Sequence, residues 1–203
     1  MNQKQRIHRN FIIGRLQGWQ DPNDIKDAVK LIRWNLMNEI ARYSSMSDNY
    51  YITKIAEEWL KYLEQFENFK RKDGKLLRSS KSQKLQFTYE HVIPCCTVAD
   101  LLIEALGPYL FKGYEVDRKV FEDIVDPILE KADSVVIITK GSKHAIQPCG
   151  QLVNSEDELL CNAGLNSSMP DDWSLNDDIW ERYRVAGLEI PTMKQEMYGS
   201  FSR

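Results

Sequence analysis

The chain has 203 residues, of which 42% are hydrophobic and 28% charged, with a formal net charge of −3. That size supports one ample core, or a domain with a helical extension, and the composition is ordinary for a soluble globular protein. No apolar run approaches the roughly 18–20 residues of a membrane span, and the opening decapeptide is polar and basic with no apolar signal core behind it, so a cytoplasmic protein without a membrane partner is expected.

In chain order, residues 1–70 read as a helical N-terminal region. Lys4, Arg6, Arg9 and Arg15 open it without a single acid. Asp21-Pro22 has the pattern of an N-cap followed by proline at the first helical position. Ile25, Val29, Ile32, Leu36 and Ile40 then recur at helical spacing and end near Tyr43. After the polar break from Ser44 to Asn49, a second helix is predicted to carry Ile52, Ile55, Ala56, Trp59, Leu60, Leu63 and Phe66 on one face. Two antiparallel helices are the simplest outcome.

Residues 71–84 read as an exposed basic linker. Lys70, Arg71, Lys72, Lys75, Arg78, Lys81 and Lys84 are opposed only by Asp73, and Asp73-Gly74 with three serines marks turns. Such a run either attracts phosphate groups or is a solvated loop. Residues 154–181 are, by contrast, strongly acidic. Leu85 to Tyr89 alternates as a strand does, and residues 97–131 are helical in pattern with breaks at Gly107-Pro108 and near Gly113. Val135 to Thr139 reads as a buried strand, followed by a loop and a short strand at 151–153. A helix from about Ser155 to Ala163 comes next, and the tail from Asn166 carries one more near 176–186. Cys95, Cys96, Cys149 and Cys161 form no C-x-x-C pair and read as reduced thiols, a structural zinc on Cys149, Cys161 and His144 being the minor alternative. The five tryptophans lie on helical faces or in turns, where core packing is their default use.

Only three histidines occur, and one stands in Glu90-His91-Val92-Ile93-Pro94, at the end of a predicted strand. This run resembles the HNH, or ββα-metal, nuclease family, in which a strand ends in an acid followed by histidine. The family's closing segment is similar to Leu152 through Leu165, followed by Met169-Pro170. The resemblance implies an α+β fold: mostly helical, with a small ββα-metal-like strand-and-helix core over 85–170. It also implies a helical insertion at 97–131 and a tail, 171–203, packing on that core. It further implies a metal-dependent endonuclease acting on DNA, of the kind found among phage-encoded and anti-phage defence nucleases. Phosphodiester hydrolysis needs a base to activate water and a divalent cation to neutralise developing charge. His91 would be the base, Glu90 a metal ligand, and Glu158 or Asn162 the helix ligand. Oxygen donors of this type fit Mg²⁺ or Mn²⁺. The cations from Lys70 to Lys84 would hold the phosphates, and the N-terminal region could dock a protein partner.

The sequence also departs from the family. Members usually carry His or Asn where Glu158 or Asn162 would serve, and the position of the bracing Asn falls at Cys149, with only Gln147 and Gln151 near it. A long insertion separates His91 from Val135. Each element also has a plainer reading. His91 can be a hydrogen-bonded strand-end histidine, Glu90 can pair with a cation, and Ser155-x-x-Glu158 is a capping box that needs no metal. The alternative function is accordingly a non-catalytic module with a degenerate HNH fold, binding nucleic acid or a protein; a purely structural phage or plasmid protein is a third.

Overall fold

Val135, Val136, Ile137 and Ile138 form the densest β-branched run of the chain, and all four are buried. A strand covered on both faces must sit inside a sheet with a layer on each side. A computed structural model of the protein describes residues 1–18, 25–48, 50–63, 85–110, 116–141, 145–146, 152–153 and 155–193. The helices are α1 (Gln3–Gly18), α2 (Ile25–Ser45), α3 (Lys54–Leu63), α4 (Cys95–Leu106), α5 (Arg118–Lys131), α6 (Glu156–Asn162) and α7 (Glu181–Val185). The strands are β1 (Tyr50–Ile52), β2 (Leu85–His91), β3 (Val135–Gly141), β4 (Ala145–Ile146), β5 (Leu152–Val153) and β6 (Thr192–Met193). The fold is α+β, rich in helix, with a helical N-terminal region. Four strands make one sheet in the order β2-β3-β1-β6, and β4 and β5 form a separate hairpin. Within the sheet β3 runs parallel to β1 and antiparallel to β2.

The largest core lies among α1, α2, α4 and α5. Ile12 and Leu16, Ile32 and Leu36, Val98 and Leu102, and Phe121 and Val125 meet there with almost no exposure. Bidentate guanidinium–carboxylate pairs fasten its edges. Arg9 of α1 donates Nε and Nη2 to the two oxygens of Asp126 at 2.7 and 2.6 Å, and Arg33 of α2 donates likewise to Asp100 of α4 at 2.5 and 2.8 Å. One face of the sheet is covered by α3, where Ile52 and Ala56 meet Ile137 and Phe87. The other face is covered by α6 and α7, whose Leu160, Trp180 and Tyr183 pack on Val92, Val136 and Ile138.

The N-terminal region is not a separate unit. It supplies two helices of the main core and the strand β1, which pairs with β3. The second N-terminal helix starts at Lys54 instead of Ile52 because Tyr50-Tyr51-Ile52 suits a pleated surface and Thr53 caps the helix after it. The Thr53 hydroxyl accepts the Ala56 N–H at 3.2 Å, and its carbonyl accepts the Glu57 N–H at 2.9 Å. The helix expected near 176–186 shortens to α7. Upstream, the Asp177 carboxylate takes the Ser174 N–H and hydroxyl, and Asp178 takes the Trp180 N–H, local bonds that compete with helix. The expected basic linker and the end of the second N-terminal helix lie outside the described residues.

Thr53 also sets the main tertiary joint. Because its carbonyl begins α3, β1 stops, and β3 loses its parallel neighbour beyond Ile137. The Thr139 N–H, left without a strand partner, instead donates to Oε2 of Glu156 at 2.9 Å. The same oxygen accepts the Thr53 hydroxyl at 2.7 Å and the Thr139 hydroxyl at 3.1 Å. One buried carboxylate thus joins β3, the start of α3 and the start of α6. Burial pushes its pKa up from the ordinary value, against the pull of the Thr139 and Thr53 donors.

Removing that oxygen strands a buried N–H and two hydroxyls, so Glu156→Ala is expected to cost about 3 kcal/mol in urea unfolding. Glu156→Gln, which keeps an acceptor, should cost about 1 kcal/mol. Equal losses for the two variants would mean that the side chain serves only as volume.

Candidate functional site at the end of strand β2

The antiparallel register pairs Glu90 with Val136 and His91 with Val135, unbroken to the end of β2. Neighbouring residues of a regular strand project to opposite faces. Glu90 therefore shares the face of Val136, under α6 and α7, while His91 shares the opposite face and meets α2.

On the α7 side, Glu90 meets Arg182, which is 0% exposed. Nη2 of Arg182 donates to Glu90 Oε1 at 2.8 Å, to the His91 carbonyl at 2.7 Å and to the Tyr183 hydroxyl at 3.1 Å, its two protons shared among three acceptors. Nη1 donates to the Leu165 carbonyl at 3.0 Å. A buried cation is tolerated only when its protons are placed on acceptors, and Arg182 places four such contacts around one guanidinium. Its Nε–H is shielded without a partner. The Leu165 carbonyl reaches it because α6 ends in a Schellman motif: Gly164 has φ +74°, the Leu165 N–H donates to the Leu160 carbonyl, and the two leucines touch the same apolar cluster. The sequence Ala-Gly-Leu repeats at 186–188 and ends α7 in the same way, with Gly187 at φ +75°.

On the other face, His91 Nδ1 lies 2.8 Å from the Ser44 hydroxyl. Ser44 has one proton, which it donates to the Ile40 carbonyl at 2.9 Å. It must then accept from His91, so Nδ1 carries the imidazole proton and Nε2 the lone pair. Burial, with the charge of Arg182 acting in the same direction, lowers the His91 pKa from 6.5 to about 4. The ring is neutral at neutral pH, and a poorer proton acceptor than a free imidazole.

The α6 residues point elsewhere. Glu156 and Leu160 are the buried pair of this helix. Glu158 and Asn162 stand two residues on from each, about 200° around the axis. Asn162 is exposed, and Ser155 Oγ accepts the Glu158 N–H at 3.3 Å as a cap. One oxygen of Glu158 is shielded without a partner. Among the described residues no three His, Cys, Asp or Glu side chains converge as a metal would require. The residues named as ligands do not fit a divalent cation: Glu90 is committed to a guanidinium that would repel the ion, His91 lies across the sheet, and Glu158 and Asn162 stand on the side of α6 opposite its buried pair. The zinc alternative rests on Cys149 and His144, outside the described residues, as do Gln147, Gln151 and the cations from Lys70 to Lys84.

Sequence reasoning missed Arg182, Glu156 and Ser44. Two signals were available: an arginine closing the strongly acidic stretch, and the repeated Ala-Gly-Leu. Compared with known proteins, the chain matches no family model, no curated protein and no solved structure.

The His91 pKa has a measurable consequence. The folded state binds fewer protons than the unfolded chain between pH 4 and 6.5, so stability rises with pH across that window and is lost as pH falls through it. The full span is worth about 3 kcal/mol. Denaturant unfolding of His91→Gln at several pH values should show that dependence flattened; an unchanged slope would assign the titration to another group.

Proposed function

We propose that the protein is a non-catalytic nucleic-acid-binding module that engages the phosphate backbone at the Leu85 end of the sheet. The observation that carries this reading is the register of β2 on β3, which pairs Leu85 with Gly141 and Gln86 with Lys140. The basic run ending at Lys84 precedes β2 directly in sequence, and Lys140-Gly141 end β3, with Ser142-Lys143-His144 next in sequence. Two cationic segments, far apart in the chain, thus leave the sheet at the same end. Lys140 is exposed and, among the described residues, forms no ion pair. The seven cations from Lys70 to Lys84 face one acid. Phosphate contacts of this kind give affinity without reading base sequence.

The distances disfavour hydrolysis at His91. A seven-residue strand is about 20 Å long, so the cationic end of β2 is separated from His91 by the length of the strand. The buried use of Glu90 and His91 supports the same reading, because both side chains already have partners that hold the fold together.

Retention of a labelled DNA duplex on a filter should weaken with salt, log K against log [salt] having a slope near −0.9 per phosphate engaged. Reversing Arg78, Lys81 and Lys84 to Glu should lower that slope by about 3. Supercoiled plasmid should stay intact in Mg²⁺ or Mn²⁺. Nicking that EDTA stops and His91→Ala abolishes would overturn the proposal and restore a nuclease.

A further inference from the structure

We propose that the outer face of α1 is a docking surface for an acidic amphipathic helix of a partner protein. The inner face of α1 buries Gln5, Ile12, Ile13 and Leu16. Diametrically opposite, at helical spacing, stand Ile7 and Phe11, 53% and 55% exposed, continued by Gly14 and Gly18. Two large apolar side chains centred on the outward face of a packed helix are not explained by this chain's own core. Beyond them the row is open: a Cβ built on Gly14 or Gly18 meets nothing within 4 Å. A second helix could bring its own large residues over that lane while Ile7 and Phe11 enter the partner.

Charge identifies the occupant. Lys4, Arg6 and Arg15 flank the row, all exposed, and among the described residues none of the three forms an ion pair. No acid occurs in α1. The other cation of this helix, Arg9, is spent on Asp126 and Glu122 of α5. An apolar stripe rimmed by free cations fits an apolar stripe rimmed by carboxylates. A second copy of this chain would bring like charges together along the same rim. Nucleic acid would use the cations and leave Ile7 and Phe11 in water. A membrane surface calls for a longer apolar face than two side chains and two glycines provide.

The test is fluorescence anisotropy of the full chain with a labelled peptide of about 16 residues, Leu on one helical face and Glu on the rest. Binding should saturate and weaken at least about tenfold for Phe11→Ser and for a scrambled peptide of the same composition. Trp34→Ser, which removes a side chain 64% exposed on α2, should leave it unchanged. The double charge reversal Lys4→Glu with Arg15→Glu should lose the Glu peptide and gain the corresponding Lys peptide, a switch that a misfolded variant would not show. Equal binding of ordered and scrambled peptides, or wild-type binding by Phe11→Ser, would overturn the proposal. So would a Phe11-dependent self-association, or Phe11-dependent retention on phosphatidylserine vesicles, with no peptide binding.

Discussion

The fold turns on a strand that stops early. Once Thr53 gives its carbonyl to α3, β1 can pair with only three residues of β3, and the next inward N–H on that edge has nowhere to go. A buried backbone donor without an acceptor is costly enough that something must be brought to it. Here it is a carboxylate from a helix that begins seventeen residues later, with the Thr53 and Thr139 hydroxyls sharing the same oxygen. The position of α6 follows from that one acceptor. So does the side of the helix, opposite Glu156 and Leu160, on which Glu158 and Asn162 stand.

Arg182 does comparable work on the same face. It holds the end of β2 through Glu90 and the His91 carbonyl, and the end of α6 through the Leu165 carbonyl. A cation buried this fully requires acceptors in fixed places. The acid beside the histidine is one of them. The positive charge of Arg182 also reaches through the strand to His91, helping burial keep the ring neutral. The neighbours Glu90 and His91, which resemble a nuclease motif in sequence, are thus divided by the sheet, one serving an arginine and the other a serine.

How much of the fold and the site was legible in the sequence depends on range. Ile32, Leu36 and Ile40 announce their helix by spacing alone and are buried as that spacing requires. Val135 to Ile138 announce a doubly covered strand by composition, and Ser155 caps the helix it precedes. Those are local signals. The three residues of β1 are too few to show a period, and an apolar residue at Ile52 fits either a strand or a helix start. Glu90 does pair with a cation, but the cation is Arg182 and not one of the many nearby in sequence. His91 is held by a hydrogen bond, but one it donates to the Ser44 hydroxyl and not to a carbonyl. The type of interaction could be read from one residue; the partner could not, because periodicity carries no information about contacts across the fold.

The positive charges divide in the same way. Arg9, Arg33, Arg118, Arg182 and Arg184 each reach a carboxylate and join elements or cap them. Lys4, Arg6, Arg15, Lys30, Lys131 and Lys140 form no ion pair among the described residues. Three of them, Lys4, Arg6 and Arg15, stand on the one helix that also exposes Ile7 and Phe11, and Lys140 stands at the Leu85 end of the sheet. Paired cations build the scaffold, and the unpaired ones set the field that an anionic partner would meet. The α1 cations border the exposed Ile7 and Phe11, which is why the partner proposed there is acidic and partly apolar, whereas the partner proposed at the Leu85 end of the sheet is a polyanion.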